Sequence, residues 1–386
     1  MSRRNRNIFS KKRTGQRVRE ALVIALLIIA IIVVLAFLYF NLFGTASKVQ
    51  LKENLTAEIG STAHVSDYIE KISGGELVED IAVDTSKLGK TKCEIGLDIG
   101  GNARLYDFEV EIVDTTEPTI EAPDSMTVLM ASGFEISSKV KATDNSGSEP
   151  KTEYKGDYDV NKAGEYTVTV NAADASGNIA QKEIAVKVID ISKEPGDIEF
   201  LTGKGFTATR KDGITTIDGI IIANKTFSVP ESYYPGGIKN DAWDAWDEMA
   251  TAASRDGISL FIVSGFRSYS MQSRLYNSYV YESGQAETDT FSAKPGYSEH
   301  QIGYAMDLNL VEDSFAETPE GKWLMANSYK YGYILRYPEG KQEITGYIPE
   351  AWHYRFVGKE LAKTLYNEGK WITLEEYFGI PSKYAE

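Results

Sequence analysis

Two stretches of the 386-residue chain are copies of one pattern, and that pattern permits little except paired β-strands. In the first copy Gly89–Asp98 and Tyr106–Asp114 flank Gly100-Gly101-Asn102; in the second, Gly164–Asp174 and Glu183–Asp190 flank Ser176-Gly177-Asn178. Branched and aromatic residues alternate with polar ones, as in Tyr166-Thr167-Val168-Thr169-Val170, so one face of each strand is apolar and the other is wet. A Gly-Asn pair between two such runs closes a hairpin. Repetition of the unit predicts two β modules, over 47–115 and 116–191, with Pro118 and Pro123 opening the second.

The second copy resembles bacterial immunoglobulin-like surface modules, which close on a Gly-Glu-Tyr-Thr-Val-Thr and Asp-x-x-Gly-Asn pattern. The first copy matches it less well. The resemblance implies two small all-β sandwiches acting as a stalk, with cell-wall or partner binding through their loops as the functional alternative. Asp144, Asp174 and Asn178 carry oxygens that suit calcium, but turn chemistry accounts for them more simply. His64, in the first module, reads as an ordinary histidine.

Ahead of the repeats, Ala21 to Phe43 holds no charge and is almost wholly apolar. About 20 such residues span a bilayer as a helix. Eight basic residues precede it in positions 1–20 against one acid, Glu20, which predicts a cytoplasmic basic arm, a single transmembrane helix and a remainder outside the cell. A cleaved signal peptide is the rival reading, with Thr45-Ala46-Ser47 as the site, but the run is too long for one. The whole chain carries −15; the arm is +7, which leaves residues 21–386 at −22. So acidic a body argues against a nucleic-acid partner. The single cysteine, Cys93, excludes an intrachain disulfide. No protein partner is read from the sequence.

Ser192 to Gly205 contains Pro195 and three glycines and reads as the entry to a last domain, 196–386. Helices are predicted from Asn240 to near Gly257, over Ser270–Gly284 with Leu275 and Tyr279 inward, from Pro319 to Gly332, and over Gly358–Gly369 and Thr373–Phe378. Strands are predicted at Ile258–Val263 (buried), Ala305–Leu310, Tyr333–Arg336 and Trp352–Phe356. Helices mixed with short, mostly antiparallel strands make an α+β domain.

That domain holds two of the chain's three histidines, His300 and His353, each accompanied by a carboxylate. The stretch Ser298–Asp307 carries His300 and Asp307; Glu350-Ala351-Trp352-His353 follows. Two imidazoles and one carboxylate make an open catalytic zinc site, so His300, Asp307 and His353 are the candidate ligands. Glu350, three residues before His353, is then free to act as base. Without metal, His300 and Asp307 form a structural hydrogen-bonded pair instead. Arg267, in Ser264-Gly265-Phe266-Arg267-Ser268-Tyr269, either grips a substrate carboxylate or oxyanion or makes a structural salt bridge. Gln272, Ser298, Tyr304 and Arg336 are candidate pocket residues, and Trp352 reads as packing.

Ser-x-His-x-x-Gly-x-Ala-x-Asp, followed by Glu-x-Trp-His and preceded by Ser-Gly-Phe-Arg-Ser-Tyr-x-x-Gln, resembles the VanY-type D-alanyl-D-alanine carboxypeptidases over roughly residues 200–386. Ser292-Ala293-Lys294-Pro295-Gly296-Tyr297 extends the likeness, and no motif position departs from it. The resemblance implies a zinc D,D-peptidase fold, with a central antiparallel sheet and helices. It implies His300, Asp307 and His353 as ligands, Glu350 as general base, Arg267 as transition-state or substrate contact, and peptidoglycan stem peptides as substrate. Relatives of this type also include L,D-carboxypeptidases acting on tetrapeptide stems, which the motifs do not separate. An inactive wall-binding module needs a missing ligand, and none is missing.

Overall fold

The structure, a computed structural model, describes residues 23–37 and 48–385. Residues 23–37 are helical. Among the described residues no helix is long and apolar enough to cross a membrane, which overturns the expected single-pass span and the membrane localisation built on it. The basic arm, and the two ends of the apolar run, lie outside the described residues.

The described residues form two compact units. One contains the chain through Thr119 with Ala142–Lys151 and Ala172–Ala180; the other contains Ile120–Lys141, Thr152–Asn171 and the chain from Gln181 onward. The expected cut at 115/116 is therefore not clean. Loop side chains explain it: Asn145 Nδ2 donates to Glu58 (3.2 Å), Ser176 Oγ to Asp114 (3.0 Å) and Asn178 Nδ2 to the Asp114 carbonyl (3.0 Å).

In the first unit β1 (Gly89–Asp98) and β2 (Ala103–Val113) pair antiparallel from Gly89↔Ile112 to Asp98↔Ala103. The alternation read from sequence sets which side is buried: Cys93, Ile95 and Leu97 on β1 and Phe108, Val110 and Ile112 on β2 share one core. Thr56–Glu58 runs parallel to the end of β2. The second unit repeats this arrangement, with β3 (Ser125–Leu129) parallel to the second strand of its hairpin, β4 (Gly164–Ala173) and β5 (Ile179–Ile189).

The expected break between 191 and 196 is also absent. β6 (Ile198–Leu201) pairs beside β3 through Leu201↔Val128, and the strands Thr207–Lys211, Ile214–Ile217 and Ile220–Ile222 extend the same eight-stranded sheet. Leu129, Ile189 and Ile191 accordingly share a core with Phe200, Met249 and Leu335.

The last part is mixed α and β. α1 (Asn240–Arg255) buries Ala242, Ala245, Trp246, Met249 and Ala253, one face of the helix; Lys239, rather than Asn240, is the cap position. A separate four-stranded antiparallel sheet has the order β7 (Ile262–Ser264), β8 (Ala305–Leu308), β10 (Glu350–Phe356) and β9 (Tyr333–Tyr337). β7 is shorter than expected and is not buried: it lies at the sheet edge, and Phe261 and Val263 are 55% and 51% exposed. α2 (Tyr269–Ser283) buries Gln272 and Tyr276.

Candidate active site

The sheet register assembles the site. Asp307 on β8 lies directly opposite His353 on β10 and pairs with Ser264 on β7, while Tyr337 on β9 pairs with Glu350. His300 arrives from a single helical turn, α3 (Glu299–Ile302), capped by Ser298, whose hydroxyl accepts from the His300 N–H at 3.3 Å. The turn ends on Gly303 at φ +79, where a Cβ would stand 2.5 Å from the Gly237 carbonyl, so only glycine fits.

His300 Nε2 lies 3.2 Å from Asp307 Oδ2, His353 Nδ1 lies 3.2 Å from Asp307 Oδ1, and Glu350 Oε2 lies 3.4 Å from the same His353 nitrogen. The two imidazoles stand nearly edge to face at 5.0 Å. One donor atom each from His300, Asp307 and His353 falls within 4.8 Å of the others, a spacing one ion can bridge. All four side chains are buried and line a cavity of about 290 Å³ with Arg267, Gln272, Ser298, Tyr279, Tyr347 and Trp352 among its other walls.

The far side of His300 is held, while that of His353 only faces a carboxylate. His300 Nδ1 is 2.7 Å from the Gly265 carbonyl, which only accepts, so that nitrogen donates and Nε2 turns its lone pair inward. His353 Nε2 faces Glu299 Oε2 at 3.5 Å, a long approach. Burial lowers the proton affinity of His300, though Asp307 opposes it; burial acts the same way on His353, but Asp307, Glu299 and Glu350 outweigh it and raise its pKa well above the ordinary value. Asp307 resists the effect of burial and titrates far below an ordinary carboxylate because both histidines favour its charge. Glu350 goes the other way: burial pushes its carboxyl up, and His353 only partly offsets this.

Arg267 is held at both ends of its guanidinium. Nη1 donates to Gln272 Oε1 (2.8 Å) and Nη2 to Ser264 Oγ (2.9 Å), with Asp307 Oδ2 at 3.5 Å, so the side chain makes an ion pair while facing the cavity. Gln272 is fixed in turn by donating to the Ala293 carbonyl at 2.6 Å. Two of the pocket residues expected from the sequence lie elsewhere. Tyr304 is not a wall of the cavity: its hydroxyl donates to Asp241 at 3.3 Å and its ring stacks on Phe356 at 6.2 Å, because alternation on the strand that follows sends it to the opposite side. Arg336 lies behind the site, 1% exposed.

Arg336 belongs to a buried ionic cluster that sequence reasoning missed. Its Nε donates to Glu299 at 2.8 Å and its two terminal nitrogens grip Glu375 at 2.8 and 2.7 Å, while Arg355 Nη1 lies 3.1 Å from Glu299. Burial disfavours the charge on Glu299, yet the two guanidiniums more than offset it and hold its carboxyl far below the ordinary range. Its position one residue before His300 is the only signal the sequence offered.

Comparison with known proteins adds matches to two family models, two relatives and one solved structure. The sequence model of the VanY family, D-alanyl-D-alanine carboxypeptidase, matches residues 237–359, and that of the internalin K domain (D3/D4) matches 135–188. YodJ of Bacillus subtilis (strain 168) is 36% identical over 195 residues, 43% of this chain and 71% of its own length. The bifunctional D-Ala-D-Ala dipeptidase and D-Ala-D-Ala carboxypeptidase VanXYC of Enterococcus gallinarum is 39% identical over 142 residues, 34% of this chain and 72% of its own length. A solved structure of the vancomycin resistance D,D-pentapeptidase VanY in complex with Zn(II) is 35% identical, covering 41% of this chain and 97% of that one, with a TM-score of 0.36.

Proposed function

The chain belongs to the VanY D-alanyl-D-alanine carboxypeptidase family, and from that premise we propose that its cavity removes the terminal D-alanine from peptidoglycan stem peptides with the help of one zinc ion. The observation that carries the proposal is the approach of His300, Asp307, His353 and Glu350 within one buried cavity. Two imidazoles and a carboxylate are the donor set of a catalytic zinc site. His300 has its outer nitrogen turned to an acceptor, and a carboxylate faces that of His353 at 3.5 Å, which suits both to ligation. When bound, zinc polarises the scissile carbonyl and makes the attacking water acidic near pH 7.

The remaining work falls to the chain's own side chains. Glu350, raised in proton affinity by burial, takes the proton of the attacking water and passes it to the departing amine. Arg267, steadied by Gln272 and Ser264, meets the peptide's terminal carboxylate or the developing oxyanion. Ser298 acts by capping the turn that carries His300. Hydrolysis is direct, with no acyl-enzyme, so β-lactams are not expected to inhibit. The two β repeats are read as immunoglobulin-like modules that carry the enzyme.

The test is metal analysis of the purified full chain together with product masses from pentapeptide and tetrapeptide muropeptides. One zinc per chain and release of a single D-alanine from the pentapeptide are expected. Glu350→Ala should abolish turnover and keep the metal. Full activity in that variant refutes the assigned base, and release from the tetrapeptide alone refutes D,D-specificity.

A further inference from the structure

A second cluster of ligand-bearing side chains lies in the first compact unit, far along the chain from the cavity. Asp114 follows β2, Asp144 sits in the Ala142–Lys151 loop, and Asp174 opens the turn between β4 and β5. One carboxylate oxygen from each lies within 4.8 Å of the others. Two oxygens bound to one calcium ion at about 2.4 Å each stand at most about 4.8 Å apart, so the spacing is that of a shared ion.

Turn chemistry explains one of the three. Asp174 Oδ1 accepts from the backbone N–H groups of Ser176, Gly177 and Asn178 at 2.8, 2.7 and 2.9 Å, and Oδ2 accepts from Asn178 Nδ2 at 2.8 Å. It does not explain the other two. Asp114 is nine-tenths buried, at 9% exposure; its Oδ2 accepts from Ser176 Oγ, but Oδ1 is buried and finds no donor among the described residues. Asp144 Oδ1 accepts from the Ser146 N–H at 2.9 Å, yet its Oδ2 is likewise buried and unmatched. A buried carboxylate oxygen with no partner is costly, and two of them in a cluster of three acids are more so. Burial raises the pKa of Asp114, and Asp144 and Asp174 push it further in the same direction.

We propose that Asp114, Asp144 and Asp174 form a calcium site, in which the two unmatched oxygens are ligands. The donor set is all oxygen with no imidazole or thiolate, which favours a hard cation over zinc. Carbonyls and water complete the six to eight ligands that calcium takes. The site ties the Ala142–Lys151 and Ala172–Ala180 loops to the end of β2, which is where these loops depart from the second repeat and join the first unit. Asp144 and Asp174 stand out in the sequence as loop acids; Asp114, the residue that turns them into a cluster, does not.

The experiment is calorimetric titration of calcium chloride into the zinc-loaded full chain, beside Asp144→Asn and Asp114→Asn. Zinc loading occupies the catalytic ligands and separates the two sites. The expected result is one saturable calcium per chain, with a dissociation constant in the range of roughly 10⁻⁵ to 10⁻³ M, weakened about tenfold or more in each variant, while release of D-alanine is unchanged. Asp144 is partly exposed in its loop, so its amide variant tests the site even where Asp114→Asn fails to fold. No saturable binding by the zinc-loaded chain up to about 10 mM, well above the weakest known modules, overturns the proposal. Binding of equal strength in wild type and Asp144→Asn overturns it too.

Discussion

Replacing Glu299 by glutamine tests how far the buried ionic cluster supports the proposed zinc ligands. Glutamine keeps the shape and can still accept from Arg336 Nε, now at 2.8 Å. What it removes is charge. The cluster sets Glu299 and Glu375 against Arg336 and Arg355, two acids and two bases, all essentially out of water. The variant leaves one buried positive charge uncompensated, for which about 3–5 kcal/mol is the expected cost. A fold worth about 5–15 kcal/mol exceeds that loss over most of its range. The second effect is on metal: His353 loses the carboxylate that faces its Nε2, and loss of such a partner weakens metal affinity about 10–100-fold. All five tryptophans lie at or beyond residue 243, so their fluorescence in urea reports the unit that holds the site. Zinc affinity is read by competition with a chromophoric chelator. Glu375→Gln is the control, since Glu375 grips Arg336 but is not in contact with His353: it should destabilise comparably and leave zinc affinity nearly unchanged. A Glu299→Gln protein with wild-type zinc affinity refutes the idea that this carboxylate orients His353.

Three further outcomes follow from the same geometry. The stability difference between wild type and Glu299→Gln depends on pH: the carboxyl titrates below its ordinary 4.5 in the folded state, so its contribution is full above that value and fades as pH falls below it; the gap between the urea midpoints of the two proteins should be smaller at pH 3 than at pH 7. Arg267→Lys keeps the charge but not the two-pronged hold on Gln272 and Ser264, and kcat/KM should fall about 100–1,000-fold in a D-alanine release assay, with zinc retained. Gly303→Ala meets both a positive φ and a carbonyl at 2.5 Å; a loss of about 1–3 kcal/mol in urea denaturation is expected, along with reduced zinc binding through misplacement of His300.

What could be read in advance followed from chemistry that is scarce in the chain. With three histidines in all, two beside carboxylates, His300, Asp307, Glu350 and His353 stand out in the sequence. The hairpins at residues 89–113 and 164–189 are legible because alternation and Gly-Asn turns are local signals. Non-local pairing is not. Nothing in Ile198–Leu201 announces that it pairs beside Ser125–Leu129, so a glycine-rich stretch reads as a linker. Ile258–Val263 reads as buried because apolarity alone does not distinguish an edge strand from a central one. Glu299 is invisible as a structural charge because its partners, Arg336 and Arg355, are 37 and 56 residues away. The apolar run over 21–43 satisfies a compositional rule, but the described helix covers only 23–37.

The pairing of Leu201 with Val128 bears on how this enzyme is handled at the bench. A truncation that starts at residue 196, the obvious design for crystallising the hydrolase alone, strips Ile198–Leu201 of its neighbour and uncovers the apolar surface that Leu129, Ile189 and Ile191 protect. Bare edges of that kind recruit strands from other molecules. Such a piece should precipitate or self-associate, and a well-behaved one should begin no later than Ile120.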